Sequence, residues 1–419
     1  MKRKKISILL SLVISFSISN CVLAADIPNI SGKAAVTIDV KTHEIIYDKD
    51  IDRAHMYPAS TTKLMTSLLL AENKKKTDTI TYTKSGKLQP EYSLNLNMHT
   101  MKVGDTMSAQ DAMDSLLLYS ANDMAYVVAD NVGGDTENFC KMMNEKASKM
   151  GLKGTHFSTP NGVDNNISDH YTTPYELAKI GIEAFNNDWV RETMAKKSSR
   201  ITVSDGAVIL LENRNKLLGT DGCVGGKTGY TDKAGRCLVA FFERDGRQIM
   251  GVVMKSIYDS KDTAVFEDMK KIINWSYDAQ KVNIYKSGDT LKNIPVAYKS
   301  YRFFGKEKIA QIPVTVKENV SIYDNDVNKN ELKKDYNLSS VNFWELDKNK
   351  SMGTLTIKER DYTKTYNVYP GVSTKEIAKN ILPALAAAAI AVIIILILIV
   401  SAIRRSIKRK KRRGRKRYY

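Results

Sequence analysis

The chain is poor in cysteine, with four in 419 residues: Cys21, Cys140, Cys223 and Cys237. Removal of an N-terminal leader would leave three, and an odd, low count is not a disulfide framework. Cys223 and Cys237 can face each other across a hairpin, and whether they are bonded is open at this stage. Histidine is also scarce: five residues, scattered, with no metal-ligand spacing. No P-loop and no dinucleotide fingerprint occur. The expectation is therefore no metal and no cofactor. A large excess of either charge is absent from the middle of the chain. Of eighteen excess positive charges, four lie in Lys2–Lys5 and eleven in 404–419, which leaves three for everything between. Basicity confined to two ends argues against nucleic acid as a partner. Long apolar runs are missing too, except near the termini.

Those terminal runs read as membrane signals. Lys2–Lys5 precede an apolar stretch, Ile6 to Ile18, broken by Ser7, Ser11, Ser15 and Ser17. Val22-Leu23-Ala24 then offers small-residue cleavage before Ala25. This is the pattern of an exported chain with a signal peptide over 1–24. Asn20 before Cys21 is a poor match to a lipidation site. At the other end, Ile381 to Ile403 is 23 residues without a charge, long enough to cross a hydrocarbon core of roughly 30 Å. Eleven Lys and Arg follow. Such residues stay cytoplasmic, so the spacing predicts a single-pass helix over 381–403, an outside body and an inside tail over 404–419.

Between these ends the pattern changes twice. Two β-rich runs, Ala34 to Val40 and Glu44 to Asp48, flank a polar turn and predict a hairpin. Pro58-Ala59-Ser60 opens a helix over 61–72. Helical spacing over 105–130 is interrupted at Ser120-Ala121-Asn122-Asp123, and further helices are expected over 135–150 and 173–186. Strand-like runs follow at 200–208, 222–230, 236–244 and 248–254, then a helix at 263–277. Strands at both ends of a helical region imply one antiparallel sheet built from distant segments and covered by helices, in a domain over 25–280. From 281 to 372 the composition turns to Val, Ile, Tyr and Thr with polar turns, which predicts a small all-β domain.

Three short motifs carry chemistry. Ser60-Thr61-Thr62-Lys63 puts a hydroxyl and an amine on one helix face. A serine is a weak nucleophile without a base, and a lysine serves as one only when neutral. Alone this S-x-x-K pattern is equally that of a capped helix. Ser120-Ala121-Asn122 has the form S-x-N, and Lys227-Thr228-Gly229 is the one K-T-G in the chain. Decoys exist: Ser93-Leu94-Asn95, Ser340-Val341-Asn342, Lys84-Ser85-Gly86 and Lys286-Ser287-Gly288. They lie in polar segments or in the second module, whereas Ser120 sits at a helix junction and Lys227 in a strand.

With their flanks, Tyr57 to Lys63, Tyr119 to Asp123, Thr159-Pro160-Asn161-Gly162 and Gly226 to Gly235 resemble the low-molecular-mass penicillin-binding proteins, the serine-type D-Ala-D-Ala carboxypeptidases. The likeness runs from about Ile30 to Gly371. It implies an α/β (α+β) fold, a serine β-lactamase/transpeptidase-like domain followed by the small all-β domain and the transmembrane helix. It also implies roles. Ser60 attacks the carbonyl of the penultimate D-Ala, Lys63 takes its proton, and Ser120 relays a proton to the leaving amine. Asn122 hydrogen-bonds Lys63 or the substrate amide. Lys227 supplies charge for the terminal carboxylate and helps keep Lys63 neutral, and Thr228 bonds that carboxylate. Gly229 belongs to the same substrate-binding strand, and the backbone N–H groups of Ser60 and Tyr230 form the oxyanion hole. The implied partners are peptidoglycan stem peptides, β-lactams as covalent inhibitors, and the membrane. Arg214 is either a carboxylate neighbour or a strand-end surface residue. Asn161 is either a site residue or a turn residue, and Cys237 reads as a packed strand residue. Competing readings are a β-lactamase, a transpeptidase or endopeptidase on the same residues, and a non-catalytic wall-binding protein. The first lacks its Glu in 150–173.

Overall fold

The structure is a computed structural model that describes residues 26–415 apart from 91, 300, 301 and 304, with backbone alone for 378–385 and 412–415. The expected leader over 1–24, Cys21 and the last residues of the basic tail lie outside the described residues.

The central sheet has five antiparallel strands in the order Ile45–Lys49, Ala34–Asp39, Arg247–Ser256, Gly235–Arg244, Cys223–Thr231. Val36 pairs with Val252 and Val239 with Val252, so the hairpin near the start is zipped to strands two hundred residues later. Side chains alternate across the sheet. Val36, Ile38, Val239, Phe241 and Val252 join one apolar core with Leu64, Leu68, Leu117 and Ile180. Ala35, Ile46, Leu238, Ala240 and Val253 join a second core under the helix Ala264–Asp278. Because helices cover both faces, the middles of the inner strands are apolar on both sides, and Cys223–Thr231 is an edge strand of the sheet.

Two segments differ from the sequence reading. The single strand expected at 200–208 is instead a hairpin, Ser198–Thr202 against Val208–Glu212. Ser204-Asp205-Gly206 is its turn, with Gly206 at φ +90° and the Val203 N–H donating to Ala207 O. The helical pattern at 105–130 splits into Ala109–Asp114, a π-helical stretch Ser115–Tyr119, a left-handed Ser120 at φ +73°, and Asn122–Gly133. π-turns inside helices gather at functional sites.

The C-terminal β domain holds a five-stranded sheet in the order Thr290–Lys299, Glu307–Val316, Tyr362–Pro370, Gly353–Glu359, Lys333–Leu338, and the pair Lys281–Tyr285 with Val320–Tyr323. It is not purely β. Asp326–Glu331 forms one capped helical segment, where Asn325 Oδ1 accepts from Asn328 N at 2.8 Å. Six residues are too few for a visible period. Asn325 and Asn328 amides donate to Ile45 O, and Arg360 is bidentate to Asp52, so this domain docks on the hairpin of the first. A helix, Thr374–Arg415, ends the described chain. Among the described residues it alone is long and apolar enough to cross a membrane, over Ala386–Lys411.

Candidate active site

The turn that carries Ser60 is built by local geometry. Ala59 has φ +49°, and Ala59–Thr62 winds as a 3₁₀ turn before the helix Lys63–Asn73. Thr61 closes it by donating from N and from Oγ1 to Pro58 O, at 3.2 and 2.6 Å. Residues three apart eclipse in such a turn, which stacks Lys63 under Ser60.

Lys63 Nζ donates to Ser60 Oγ at 2.8 Å, Asn122 Oδ1 at 2.9 Å and Asn161 O at 3.0 Å. The side chain is fully buried, yet no carboxylate bonds it. Burial is the main force pushing its pKa down, to about 7; the Arg214 cation adds to this and Asp123 opposes it. A lysine at about 7 is close to half neutral at neutral pH, the state a base needs.

Lys227 extends the array. Its Nζ donates to Ser120 Oγ and Thr228 O, each at 2.9 Å. Burial first, then Lys63 and Arg214, hold its pKa well below the ordinary value. Two amines and two hydroxyls, Ser60–Lys63 and Ser120–Lys227, thus converge from three distant segments.

Close backbone approaches fix that convergence. A Cβ on Gly229 would lie 3.0 Å from Pro58 O and 3.1 Å from Ser60 N. The edge strand therefore presses directly on the Ser60 turn and brings the Tyr230 backbone close to Ser60 N. Gly162 has φ +83°, and a Cβ there would fall 1.8 Å from Ala59 O. A cleft of about 800 Å³ opens over the array, lined by Ser60, Ser120, Asn122, Thr228, Gly229 and Tyr230 among others. Every site residue expected from sequence lies at this cleft or, for the lysines, directly beneath it.

The open questions also resolve in space. Arg214 lines the cleft, its guanidinium 4.9 Å from the Tyr92 ring centroid and 4.6 Å from that of Tyr119. Asn161 contributes its carbonyl to Lys63. Cys140, Cys223 and Cys237 are all free and buried. Cys237 sits in the strand Gly235–Arg244, its thiol pushed up to about 11 by burial. The decoy Ser93 only caps a short helix, accepting from Leu96 N at 3.1 Å.

Two supporting residues escape sequence reasoning. Asp123, buried next to Asn122, accepts from Leu94 N at 3.0 Å, Asn95 N at 3.1 Å and Tyr82 OH at 2.9 Å. It ties the segment bearing Tyr92 over the cleft. His170 Nδ1 accepts from Ser158 N at 3.1 Å, so its Nε2–H donates to Thr62 Oγ1 at 2.9 Å. Burial lowers its pKa to about 4. It pins the loop that carries Asn161 to the Ser60 turn. Asp123 was detectable as the residue after S-x-N; a lone His carries no such signal.

This arrangement has counterparts. Residues 22–257 match the D-alanyl-D-alanine carboxypeptidase family. The chain belongs to that family. It is 27% identical over 339 residues to D-alanyl-D-alanine carboxypeptidase DacF of Bacillus subtilis, covering 78% of this chain and 82% of the relative. It is 26% identical to DacB2 of Mycobacterium tuberculosis, over 60% of this chain and 84% of that one. Among solved structures, penicillin-binding protein D2 of Listeria monocytogenes in its ampicillin-bound form shares 29% identity at TM-score 0.52, covering 60% of this chain and all of that one. A mutant of the Streptomyces K15 DD-transpeptidase shares 28% at 0.53, covering 60% of this chain and 99% of that one. Membership makes this a serine-type enzyme of the family, and the matched fold is the transpeptidase-like domain.

Proposed function

We propose that this family member removes the terminal D-alanine from peptidoglycan stem pentapeptides through an acyl-enzyme on Ser60, and that penicillin traps the same serine. The observation that carries this reading is Lys63, buried, depressed to about 7 and 2.8 Å from Ser60 Oγ. Neutral Lys63 takes the Ser60 proton as Oγ attacks the penultimate D-Ala carbonyl. Backbone N–H groups of Ser60 and Tyr230 receive the developing oxyanion, and such donors each contribute roughly 2.7–4 kcal/mol. Ser120 passes a proton to the departing amine, and water then releases the acyl group. Asn122 orients Lys63 and the substrate amide.

The terminal carboxylate goes to Thr228, Lys227 and Arg214. Lys227 is a depressed amine with no acidic partner among the described residues, so the guanidinium of Arg214 is the standing cation. An arriving carboxylate favours the charged form of Lys227 and draws a proton onto it. Free-carboxylate recognition by fixed donors suits an exopeptidase. A β-lactamase fits less well: the acidic residues lining the cleft, Glu212 and Asp262, lie outside the 150–173 loop where its Glu would be expected. The DD-transpeptidase among the matched structures favours transpeptidation as the second reading.

We also propose that residues 1–24 are a cleaved leader. The catalytic domain would span 25–280 and the β domain 281–372. The helix over 381–403 would anchor the body outside the membrane, with 404–419 inside. The test is mass spectrometry of the full chain with a D-Ala-D-Ala pentapeptide, with and without penicillin. Expected are release of one D-Ala and a stable penicillin adduct on Ser60. Rapid penicillin turnover, or cross-linked products alone with an amine acceptor, would overturn the carboxypeptidase reading.

A further inference from the structure

One turn of the β domain grips the catalytic domain. Glu359-Arg360-Asp361-Tyr362 joins the strands Gly353–Glu359 and Tyr362–Pro370, with Arg360 at φ +41°. Arg360 is bidentate to Asp52, each bond at 2.7 Å, and also pairs with Glu331 of its own domain. Asp361 pairs with Lys179 at 2.9 Å and accepts from Tyr175 OH at 2.8 Å. Both lie on the helix Pro174–Asn186. Two members of the turn therefore meet groups that suit their charge.

Glu359 does not. It is 3% exposed, and neither of its oxygens has a hydrogen-bond partner among the described residues. Across the interface it faces Glu44, buried in the turn of the first hairpin. Glu44 already holds the nearest cation: Lys281 Nζ pairs with it, and Thr42 Oγ1 donates to it at 2.9 Å. Two buried carboxylates, one from each domain, thus share a single lysine. The remaining charged and titratable neighbours offer no second cation. Arg247 is committed to Asp39 at 3.2 Å and to Tyr323 OH at 2.6 Å. Tyr323, Tyr362 and Tyr366 are phenols whose pKa burial raises, and Glu318 beyond Tyr366 adds negative charge. His43 and Lys179 lie on the Asp361 side of the turn. Burial first, then Glu44, push the Glu359 carboxyl up to about 7, and Lys281 opposes them.

We infer that Glu359 is a proton-operated latch between the two domains: protonated, it lets the turn close on the catalytic domain, and ionised, it repels Glu44 across the interface and loosens the turn. Only Ala279 and Gln280 separate the helix Ala264–Asp278 from the first strand of the β domain, Lys281–Tyr285, which makes them the hinge. The β domain in turn holds the start of the long helix, because Thr374 N donates to Leu346 O and Leu346 N to Thr374 Oγ1, each at 3.0 Å. The latch therefore decides whether the Ser60 cleft is fixed relative to that helix or swings on the hinge. Opening returns Glu359 to water and to its ordinary value of 4.5. Docking is then strongest below pH 4.5, weakens as pH rises toward 7, and levels off above it, a loss of up to about 300-fold.

The test places spin labels on Lys87→Cys and Lys350→Cys, both exposed and one in each domain, in the full chain with Cys21→Ser; the other three cysteines are buried. Pulsed spin–spin distance measurements at pH 5 and 8.5 read the docking. They are made in the parent and in an Arg360→Gln background, which removes the Asp52 tie and brings docking nearer to balance. A single narrow distance is expected at pH 5. At pH 8.5 a broad, longer population should appear, larger in the Arg360→Gln chain. Glu359→Gln should keep the narrow distance at both pH values. Glu44→Gln should do the same, because it frees Lys281 to pair with an ionised Glu359. Distributions independent of pH in both chains overturn the latch. Opening at pH 8.5 that survives Glu359→Gln overturns Glu359 as the group that operates it. Opening that survives Glu44→Gln overturns the shared lysine.

Discussion

A lysine with pKa near 7 makes a quantitative demand on penicillin acylation. The Lys63 amine drops from 10.5 to about 7, chiefly through burial. Holding the amine there disfavours the ammonium form by on the order of 5 kcal/mol, at 1.36 kcal/mol for each tenfold change in the equilibrium. At pH 7 about half of the enzyme holds a neutral Lys63; with an unshifted amine the fraction would be about 3 in 10,000, a loss of more than a thousandfold. The second-order rate of acylation should therefore rise about tenfold per pH unit below 7 and level off above it. Stopped-flow with a fluorescent penicillin between pH 5 and 9 measures this. Arg214→Gln removes the cation that helps depress Lys63, so the midpoint should move to higher pH, and the plateau should fall because the same guanidinium receives the penicillin carboxylate. A rate independent of pH from 5 to 8, or one still climbing at 9, would refute Lys63 as the base. An unmoved midpoint in the Arg214 variant would refute the electrostatic link.

Ser60→Ala should abolish penicillin labelling and D-Ala release together while leaving the melting temperature nearly unchanged; survival of either activity removes Ser60 from the mechanism. Gly162→Ala places a Cβ 1.8 Å from Ala59 O at φ +83°. It should cost roughly 1–3 kcal/mol from backbone strain alone, seen as a lower melting temperature with slower acylation. His170 is held neutral with a pKa of about 4 against an ordinary 6.5. Between these values the unfolded chain binds the extra proton, so stability present above pH 6.5 is lost as pH falls toward 4, by up to about 3 kcal/mol. Thermal melts from pH 4 to 7 should show that loss, and His170→Gln should flatten it. Glu359 is buried, neither oxygen bonded, its pKa raised to about 7 by burial and then by Glu44. Its charge opposes folding as pH rises from 4.5 through 7, so Glu359→Gln should raise the melting temperature at pH 8 and change it little at pH 5.

The residues of the candidate site were legible because short motifs carry them. Ser60, Lys63, Ser120, Asn122 and Lys227–Tyr230 each sit in a pattern whose residue types admit few uses once the three occur together. The sheet was legible because strands such as Gly235–Arg244 are apolar over a length that no surface strand sustains. What stayed hidden depends on contacts across long sequence gaps. His170 meets Thr62 across 108 residues, and nothing periodic surrounds either. The left-handed φ of Ser120 follows from the π-helical stretch before it, where Leu116, Leu117 and Leu118 are all buried. An apolar run of that kind reads as ordinary helix in sequence. The depression of Lys227 was hidden for the same reason: composition shows a lysine beside a threonine, and only packing shows that no carboxylate comes with it.

The two glycines explain why these motifs must be read together. Gly229 brings the edge strand onto Pro58 and Ser60, and Gly162 brings the Asn161 loop onto Ala59. Neither approach tolerates a side chain, so the Ser60 turn is gripped from two sides by segments distant in sequence. The edge strand owes its position to the sheet, whose inner pairing joins the chain's first hairpin to strands beyond residue 235. The loop owes its position to His170 and to Thr66, which donates to Pro160 O at 2.6 Å. Lys63 receives no ion-pair compensation for burial, only Ser60, Asn122 and Asn161 as acceptors, and these arrive from all three directions. Its depressed pKa is therefore a property of the closed fold rather than of the S-x-x-K motif. A partly open state admits water to the amine, raises its pKa and removes the base. Activity at neutral pH should then decline before the global unfolding transition on heating, with Gly162→Ala widening the gap between the two midpoints. Coincident midpoints in parent and variant would show that the motif alone suffices.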